Sequence, residues 1–195
     1  MLTNIRFSTF KPRNNFSAPV ARKRGESNYI SAFRRSFLGQ FEEVLLSGSE
    51  FAMSGYGIAD LICVTFEKGP RGEGSALTIE GIRQRLEQET LCAFELKLDN
   101  WKRALYQAYR YSYFSNKAVV VLPPSAVSQA VKKIDLFRDL NVGLWEFDAE
   151  KSEIRKVFDP TACSPRNSNA YDKALALILR KINFRKSRES LNALL

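Results

Sequence analysis

The apolar run at residues 118–122, Ala-Val-Val-Val-Leu, constrains the fold of this chain more than any other segment. A strand without alternating polar residues is buried on both faces, which is typical of a sheet covered by helices on each side. Pro123 and Pro124 end this strand, because neither can donate a ladder hydrogen bond. Together with the patterns on either side, the order helix, strand, strand, helix, strand, helix, strand predicts one α/β domain with a central mixed sheet.

The predicted domain spans residues 27–182, between a basic flexible arm at 1–26 and a basic C-terminal tail at 183–195. Within it, helical spacing of apolar residues predicts helices, and alternating or continuous apolar runs predict strands. An insertion at about 67–90 combines a glycine-rich loop with a short polar helix. We expect helices at 27–46, 100–114, 125–140 and 171–182, and strands at 58–66, 91–98, 118–122, 142–147 and 154–158, the last at an edge.

The net charge of +9 is concentrated at the two ends of the chain. Residues 1–40 hold eight basic residues and one acidic residue, and residues 180–195 hold five and one. Residues 41–179 therefore carry 17 basic and 19 acidic residues. A nearly neutral centre with basic ends favours a polyanionic partner, nucleic acid above all, although basic ends also serve solubility.

Histidine is absent from the chain, and this absence excludes several classes of enzyme. Ser-His-Asp and Cys-His hydrolases and imidazole metal sites all need that side chain. Three cysteines cannot build a four-cysteine metal site and do not suggest a disulfide framework. No apolar run is long enough to span a membrane, and residues 1–11 lack a signal-peptide stretch. We therefore expect a cytoplasmic protein with no membrane partner.

Three ionisable residues interrupt two otherwise apolar strands. Asp60 lies early in one strand, and the Glu95-Leu96-Lys97 sequence lies in the next. Alternate residues share a strand face, so Glu95 and Lys97 point the same way. Burying such charges costs several kcal/mol unless they are paired or bind a metal. An exposed-strand ion pair, with Asp60 as a turn or capping residue, is the structural alternative.

If the two strands pair antiparallel, Asp60 and Glu95 converge. Their carboxylates and the Leu96 carbonyl then offer the hard oxygen ligands that suit Mg²⁺ or Mn²⁺. Lys97 would lie beside a bound water or a scissile phosphate, which is what metal-assisted phosphodiester hydrolysis requires. The same register places Cys63 opposite Cys92, where we expect small-residue packing rather than redox chemistry.

The helix that follows presents Gln107 and Tyr111 one turn apart on one face, with Arg103 a turn earlier. Gln107 can orient the lysine or a water, and Tyr111 and Arg103 can bind backbone phosphate. Residues of these types are also common on solvent-exposed helix faces that have no role in a site.

These motifs resemble those of the PD-(D/E)xK nuclease superfamily, and in particular its RecB-type branch. The Gly-Ile-Ala-Asp sequence ending at Asp60 matches GxxD, Glu95-Leu96-Lys97 matches ExK, and Gln107 with Tyr111 matches QxxxY. The match covers roughly residues 30–160. The resemblance implies a restriction-endonuclease-like core and Mg²⁺-dependent cleavage of DNA, or less often RNA, leaving a 5′-phosphate. Asp60, Glu95, Lys97, Gln107 and Tyr111 would be the catalytic residues.

The resemblance also implies an acidic ligand from the first helix. RecB-type members commonly supply a histidine upstream, and this chain has none. The Phe-Glu-Glu-Val-Leu segment places Glu42 at that position, with Glu43 as the alternative. By analogy, a homodimer or a larger nuclease complex is expected. We expect phosphate contacts from Arg34, Arg35, Arg103 and Arg110.

A catalytically silent nucleic-acid-binding or complex-assembly subunit on the same fold is the competing hypothesis. The basic ends would then do the binding. The intact set of three motifs favours the nuclease, because a silent site has no physical reason to keep a buried Asp, Glu and Lys together.

Overall fold

The structure is a computed structural model that describes residues 2–6, 20–41, 44–65 and 89–192. Its described elements form a mixed β-sheet flanked by helices. The seven strands are β1 (Leu2–Arg6), β2 (Val44–Met53), β3 (Gly57–Thr65), β4 (Thr90–Leu96), β5 (Lys117–Leu122), β6 (Val142–Asp148) and β7 (Glu153–Phe158). The helices are α1 (Val20–Gln40), α2 (Trp101–Tyr111), α3 (Pro124–Val131), α4 (Ile134–Leu140) and α5 (Ser168–Asn192).

The strands lie side by side in the order in which they occur along the chain. Strands β2, β3 and β4 are antiparallel neighbours, β4, β5 and β6 run parallel, and β7 returns antiparallel to β6. Strand β1 runs parallel to β2 at the other edge. The α/β class and the mixed sheet are therefore confirmed.

Two apolar cores lie on opposite faces of this sheet. Val119 and Val121 of β5 pack in the core beneath α1, and Val120 packs in the core beneath α2–α5. The continuous apolar run is thus buried on both faces, as its sequence predicts. Helix α1 supplies aromatic residues to its core, and Phe33 is fully buried there.

The first helix ends earlier than predicted, and strand β2 follows it. The helix was expected to extend to residue 46. Helix α1 ends at Gln40, and Val44–Met53 is a strand paired with β3. The apolar residues near 44–46 continue the helical spacing, but hydrogen bonds to β3 decide the conformation. Ser47 is fully buried inside this strand rather than ending a helix.

Other boundaries also differ from the expectation. Helix α1 begins at Val20 and β1 covers Leu2–Arg6, both within the segment expected to be a flexible arm. Helix α5 continues to Asn192, within the expected tail. The single helix expected at 125–140 is two helices, α3 and α4. The loop and the short helix expected within 67–90 lie almost wholly outside the described residues.

Among the described residues, no helix combines the length and the apolar character needed to cross a membrane.

Candidate active site

The carboxylate of Asp60 is held by the neighbouring strand. The ladder between β3 and β4 runs from Thr65 to Leu61 of β3. One residue further along, Asp60 Oδ2 accepts a hydrogen bond of 2.8 Å from the Leu96 N–H. The side chain therefore takes the place of a backbone carbonyl at the end of the ladder, and its position is set by the backbone of β4.

Glu95 is buried on the face of the sheet that α2 covers. Its side chain is 1 % exposed, and its Oε2 lies 2.5 Å from the hydroxyl of Tyr111. The same hydroxyl lies 2.6 Å from the Ile58 carbonyl oxygen. Tyr111 is fully buried and anchors α2 against β3 and β4 through these two contacts. Tyr111 was predicted to bind backbone phosphate, but its hydroxyl is buried against Glu95 and Ile58 instead.

Lys97 lies next to both carboxylates. Its Nζ is 2.7 Å from Glu95 Oε1 and 4.0 Å from Asp60 Oδ2. The side chains of Lys97 and Asp60 are 18 % and 21 % exposed. The structure therefore brings together one ammonium and two carboxylates, most of whose surface is removed from water.

Burial alters the proton affinity of all three groups. It raises the pKa of Glu95 from 4.5 to about 7, with the negative charge of Asp60 as the next cause. It also raises the pKa of Asp60, although Lys97 and the Leu96 N–H oppose this change. For Lys97, burial lowers the pKa, but the charges of Glu95 and Asp60 outweigh it and the net change is upward. One lysine does not fully compensate two desolvated carboxylates.

This donor set fits a divalent cation of the magnesium type. Mg²⁺ is commonly held by one or two carboxylates, with waters and substrate phosphate completing its octahedron. Asp60 and Glu95 provide two carboxylates in a site that lacks one compensating charge. In the part of the chain that the structure describes, no group of three or more Asp, Glu, His or Cys side chains is placed to hold a metal. Glu42 and Glu43, the expected upstream ligands, lie outside the described residues.

Asp60 opens into a groove between α1 and the β2–β3 hairpin, which we call the arginine groove. Its volume is about 570 Å³. Arg34 and Arg35, both predicted to contact nucleic acid, lie along it. Its lining also includes three acidic residues, Glu26, Glu50 and Asp60.

Two acidic residues of this groove were missed by the sequence reasoning. The charges of Glu26 and Glu50 both contribute to the raised pKa of Asp60. Glu50 has a left-handed backbone, with φ of 55°, and it falls opposite Asp60 between the paired residues of β2 and β3. A positive φ is uncommon for a residue other than glycine. No motif marks either position, because the groove forms only when α1 packs against the hairpin.

The polar residues of α2 have different surroundings. Arg110 donates a hydrogen bond to the Gly55 carbonyl and stacks over the exposed ring of Tyr106. Arg103 is exposed near the N-terminus of the helix. Gln107 Oε1 is buried and has no hydrogen-bond partner among the described residues. No described contact joins Gln107 to Glu95 or Lys97, so its predicted orienting role stays a prediction.

Comparison of the chain with protein-family models, with curated proteins and with solved structures returns no match.

Proposed function

We propose that this chain is a metal-dependent nuclease of the PD-(D/E)xK type, with DNA as the favoured substrate. One observation carries the proposal: the Lys97 ammonium lies within 4.0 Å of carboxylates from two adjacent strands in a desolvated site. Stability alone does not account for this cluster, because burying three charges seldom stabilises a fold more than apolar side chains in the same place would. The basic ends of the chain support a polyanionic substrate.

Each residue has a defined role in this proposal. Asp60 and Glu95 would hold Mg²⁺ or Mn²⁺, with the Leu96 carbonyl as the predicted third oxygen. The metal, when bound, supplies hydroxide near neutral pH and neutralises charge on the phosphate. Lys97 places a cation where negative charge develops on the phosphate during attack. Water adds across the P–O bond, which leaves a 5′-phosphate and a 3′-hydroxyl on the two products.

Tyr111 would position Glu95 rather than touch the substrate. Its hydroxyl contacts Oε2, and Lys97 contacts Oε1, so both carboxylate oxygens have fixed neighbours. A metal that binds Glu95 needs the ionised carboxylate, and a hydrogen bond donated by Tyr111 favours that form. Cutting both strands of a duplex requires two such sites, and a homodimer would provide them.

The decisive test is cleavage of linear, circular and branched DNA, and of RNA, with Mg²⁺ or Mn²⁺. Wild type is compared with Lys97→Ala and Asp60→Ala, and with Lys151→Ala as a matched control, since Lys151 lies on an exposed turn. We expect metal-dependent cutting that falls about 100-fold or more in the two site variants and is unchanged in the control. A folded wild-type protein that binds DNA but cuts nothing would overturn the proposal in favour of a silent binding subunit.

A further inference from the structure

A second depression, which we call the lysine cleft, lies where β4 leads into α2 and β5 leads into α3. Its volume is about 620 Å³. Its lining includes Leu98, Asp99, Lys102, Lys132 and Lys133. None of the three lysines belongs to a motif identified in the sequence.

The lysine cleft has an excess of positive charge. Lys102, Lys132 and Lys133 are all exposed, and Asp99 is the acidic residue beside them. Across the described part of the chain, none of these lysines forms an ion pair within 4.0 Å. Lys102 Nζ lies 5.8 Å from the centre of the Trp101 ring. Three ammonium groups that converge on one concave surface make it attractive to phosphates.

The lining of the lysine cleft begins one residue after Lys97 of the candidate active site. Leu98 and Asp99 directly follow Lys97, and two residues of chain span at most about 7 Å. Leu98 also approaches α1, where its Cδ1 would lie 3.5 Å from a Cβ built on Gly25. Gly25 precedes Glu26 of the arginine groove. Leu98 is therefore near both the lysine cleft, which it lines, and the part of α1 that carries Glu26.

The two depressions lie on opposite faces of the sheet. The arginine groove is walled by α1, which packs against Phe94 and Leu96 of β4. The lysine cleft is walled by α2 and α3, which pack against the face that carries Ala93. The Asp60, Glu95 and Lys97 side chains lie between them at the carboxyl end of β4. Arg34 and Arg35 lie on one side of the site, together with Glu26 and Glu50, and the three lysines lie on the other.

From this arrangement we infer that a polynucleotide strand runs through the site from the arginine groove to the lysine cleft. Phosphates on one side of the reacting phosphate contact Arg35, and phosphates on the other side contact Lys102, Lys132 and Lys133. The strand passes across the carboxyl end of β4 and continues on both sides, so the enzyme cuts internal bonds and needs no strand end. This inference rests on the proposed function, because the carboxylates define the point of cleavage.

Two other kinds of substrate recognition would use these depressions differently. A mononucleotide or dinucleotide substrate would use only one of the two depressions. An exonuclease would hold the strand end on one side and require contacts mainly on the other. A strand that spans both depressions makes the contributions of Arg35 and of the three lysines independent and additive.

The test combines binding with cleavage. Binding of fluorescent single-stranded DNA of 6 and 30 nucleotides is measured in Ca²⁺ as the non-cleaving ion over a range of salt concentrations. Cleavage is measured on circular single-stranded DNA in Mg²⁺. The variants are Arg35→Gln, the triple variant Lys102→Gln/Lys132→Gln/Lys133→Gln, and their combination. The matched control replaces Arg138, Lys151 and Lys173, three exposed basic residues elsewhere, by glutamine.

We expect the 30-mer to bind at least tenfold more tightly than the 6-mer, and the circle to be cut. The slope of log affinity against log salt should fall by about 2 in the triple variant and by about 0.7 in Arg35→Gln. The combined variant should show both changes, and the control neither. Unchanged slopes in either site variant, or digestion of linear but not circular DNA, would overturn the inference. If nothing is cut while both slopes fall, the proposed function fails and the binding path stands.

Discussion

The Leu96 N–H donates a hydrogen bond of 2.8 Å to Asp60 Oδ2, from a position 36 residues further along the chain. This bond joins β3 to β4 beyond Leu61 and Phe94, the final pair in their ladder. It therefore gives Asp60 two functions that can be separated, because the side chain is both a backbone partner and a negative charge in the candidate site.

Replacing Asp60 by Asn and by Ala should separate these functions. The Asn oxygen can still accept the Leu96 N–H, so we expect Asp60→Asn to unfold at nearly the wild-type denaturant concentration. Asp60→Ala leaves that N–H without its partner and should lower the free energy of unfolding by about 1–3 kcal/mol. Both variants should lose metal-dependent cleavage. Asp135→Asn, at an exposed position, is the control. Wild-type activity in Asp60→Asn would contradict a ligand role for this charge.

The stability of the metal-free protein should decrease as pH rises from 5 to 8. Burial raises the pKa of Glu95 to about 7 in the folded protein, against 4.5 in the unfolded chain. Between these values the folded protein keeps a proton that the unfolded chain has lost, so the free energy of unfolding falls with pH. The difference corresponds to roughly 3 kcal/mol. The raised pKa of Asp60 acts in the same direction, and Lys97 stays charged throughout this range.

Urea denaturation at several pH values checks this prediction. Glu95→Gln should remove most of the decrease, because the amide does not ionise, and the exposed Glu150→Gln should leave it intact. Added Mg²⁺ should stabilise the wild type most at pH 8, where the carboxylates are ionised. Stability that does not fall between pH 5 and 8 would show that Glu95 ionises in the folded protein as readily as it does in the unfolded chain.

Tyr111→Phe should both destabilise the protein and shift its pH dependence. The Tyr111 hydroxyl has one proton and two acceptors nearby, the Ile58 carbonyl and Glu95 Oε2. Without the hydroxyl we expect a loss of about 1–3 kcal/mol. The midpoint of the pH-dependent decrease should move upward, because the Tyr111 hydrogen bond lowers the pKa of Glu95.

The same denaturation series on Tyr106→Phe provides the control, since the Tyr106 side chain is mostly exposed. An unchanged midpoint in Tyr111→Phe, with an unchanged free energy of unfolding, would show that the hydroxyl does not interact with Glu95 in solution.

Thiol labelling should distinguish the three cysteines. Cys63 and Cys92 face each other on β3 and β4 and are 0 % and 6 % exposed, whereas Cys163 is exposed. In the native protein we expect one thiol to react rapidly with a soluble reagent, and three to react after unfolding. Cys163→Ser should abolish the rapid reaction. Two or three rapid thiols in the wild type would mean that β3 and β4 separate readily at this position.

The register of β3 and β4 shows how far sequence reasoning reached. The requirement that Asp60 meet Glu95 predicted that Cys63 would face Cys92, and the structure confirms this pairing. Buried strands with a single interrupting charge leave few acceptable registers, because a slip by one residue turns every side chain to the other face. The buried β5 strand and the edge strand β7 were predicted for similar reasons of periodicity.

Strand β2 was not predicted, because its residues do not alternate regularly between apolar and polar. The sequence Val-Leu-Leu-Ser-Gly-Ser begins with apolar residues at helical spacing and continues with residues typical of turns. Its conformation depends on β3, with which it pairs from Val44 to Met53. Such non-local hydrogen bonds override weak local preferences.

The sequence by itself determined which strands are buried, that histidine is absent, and that three ionisable residues lie in apolar surroundings. Only the tertiary structure decided which distant residues share a site. Glu50 lies opposite Asp60 because β2 pairs with β3, and Glu26 approaches it because α1 packs across that hairpin. Lys132 lies in one cleft with Lys102 because α3 packs beside α2. Periodicity is a local property of the chain, whereas these contacts depend on where the helices cross the sheet.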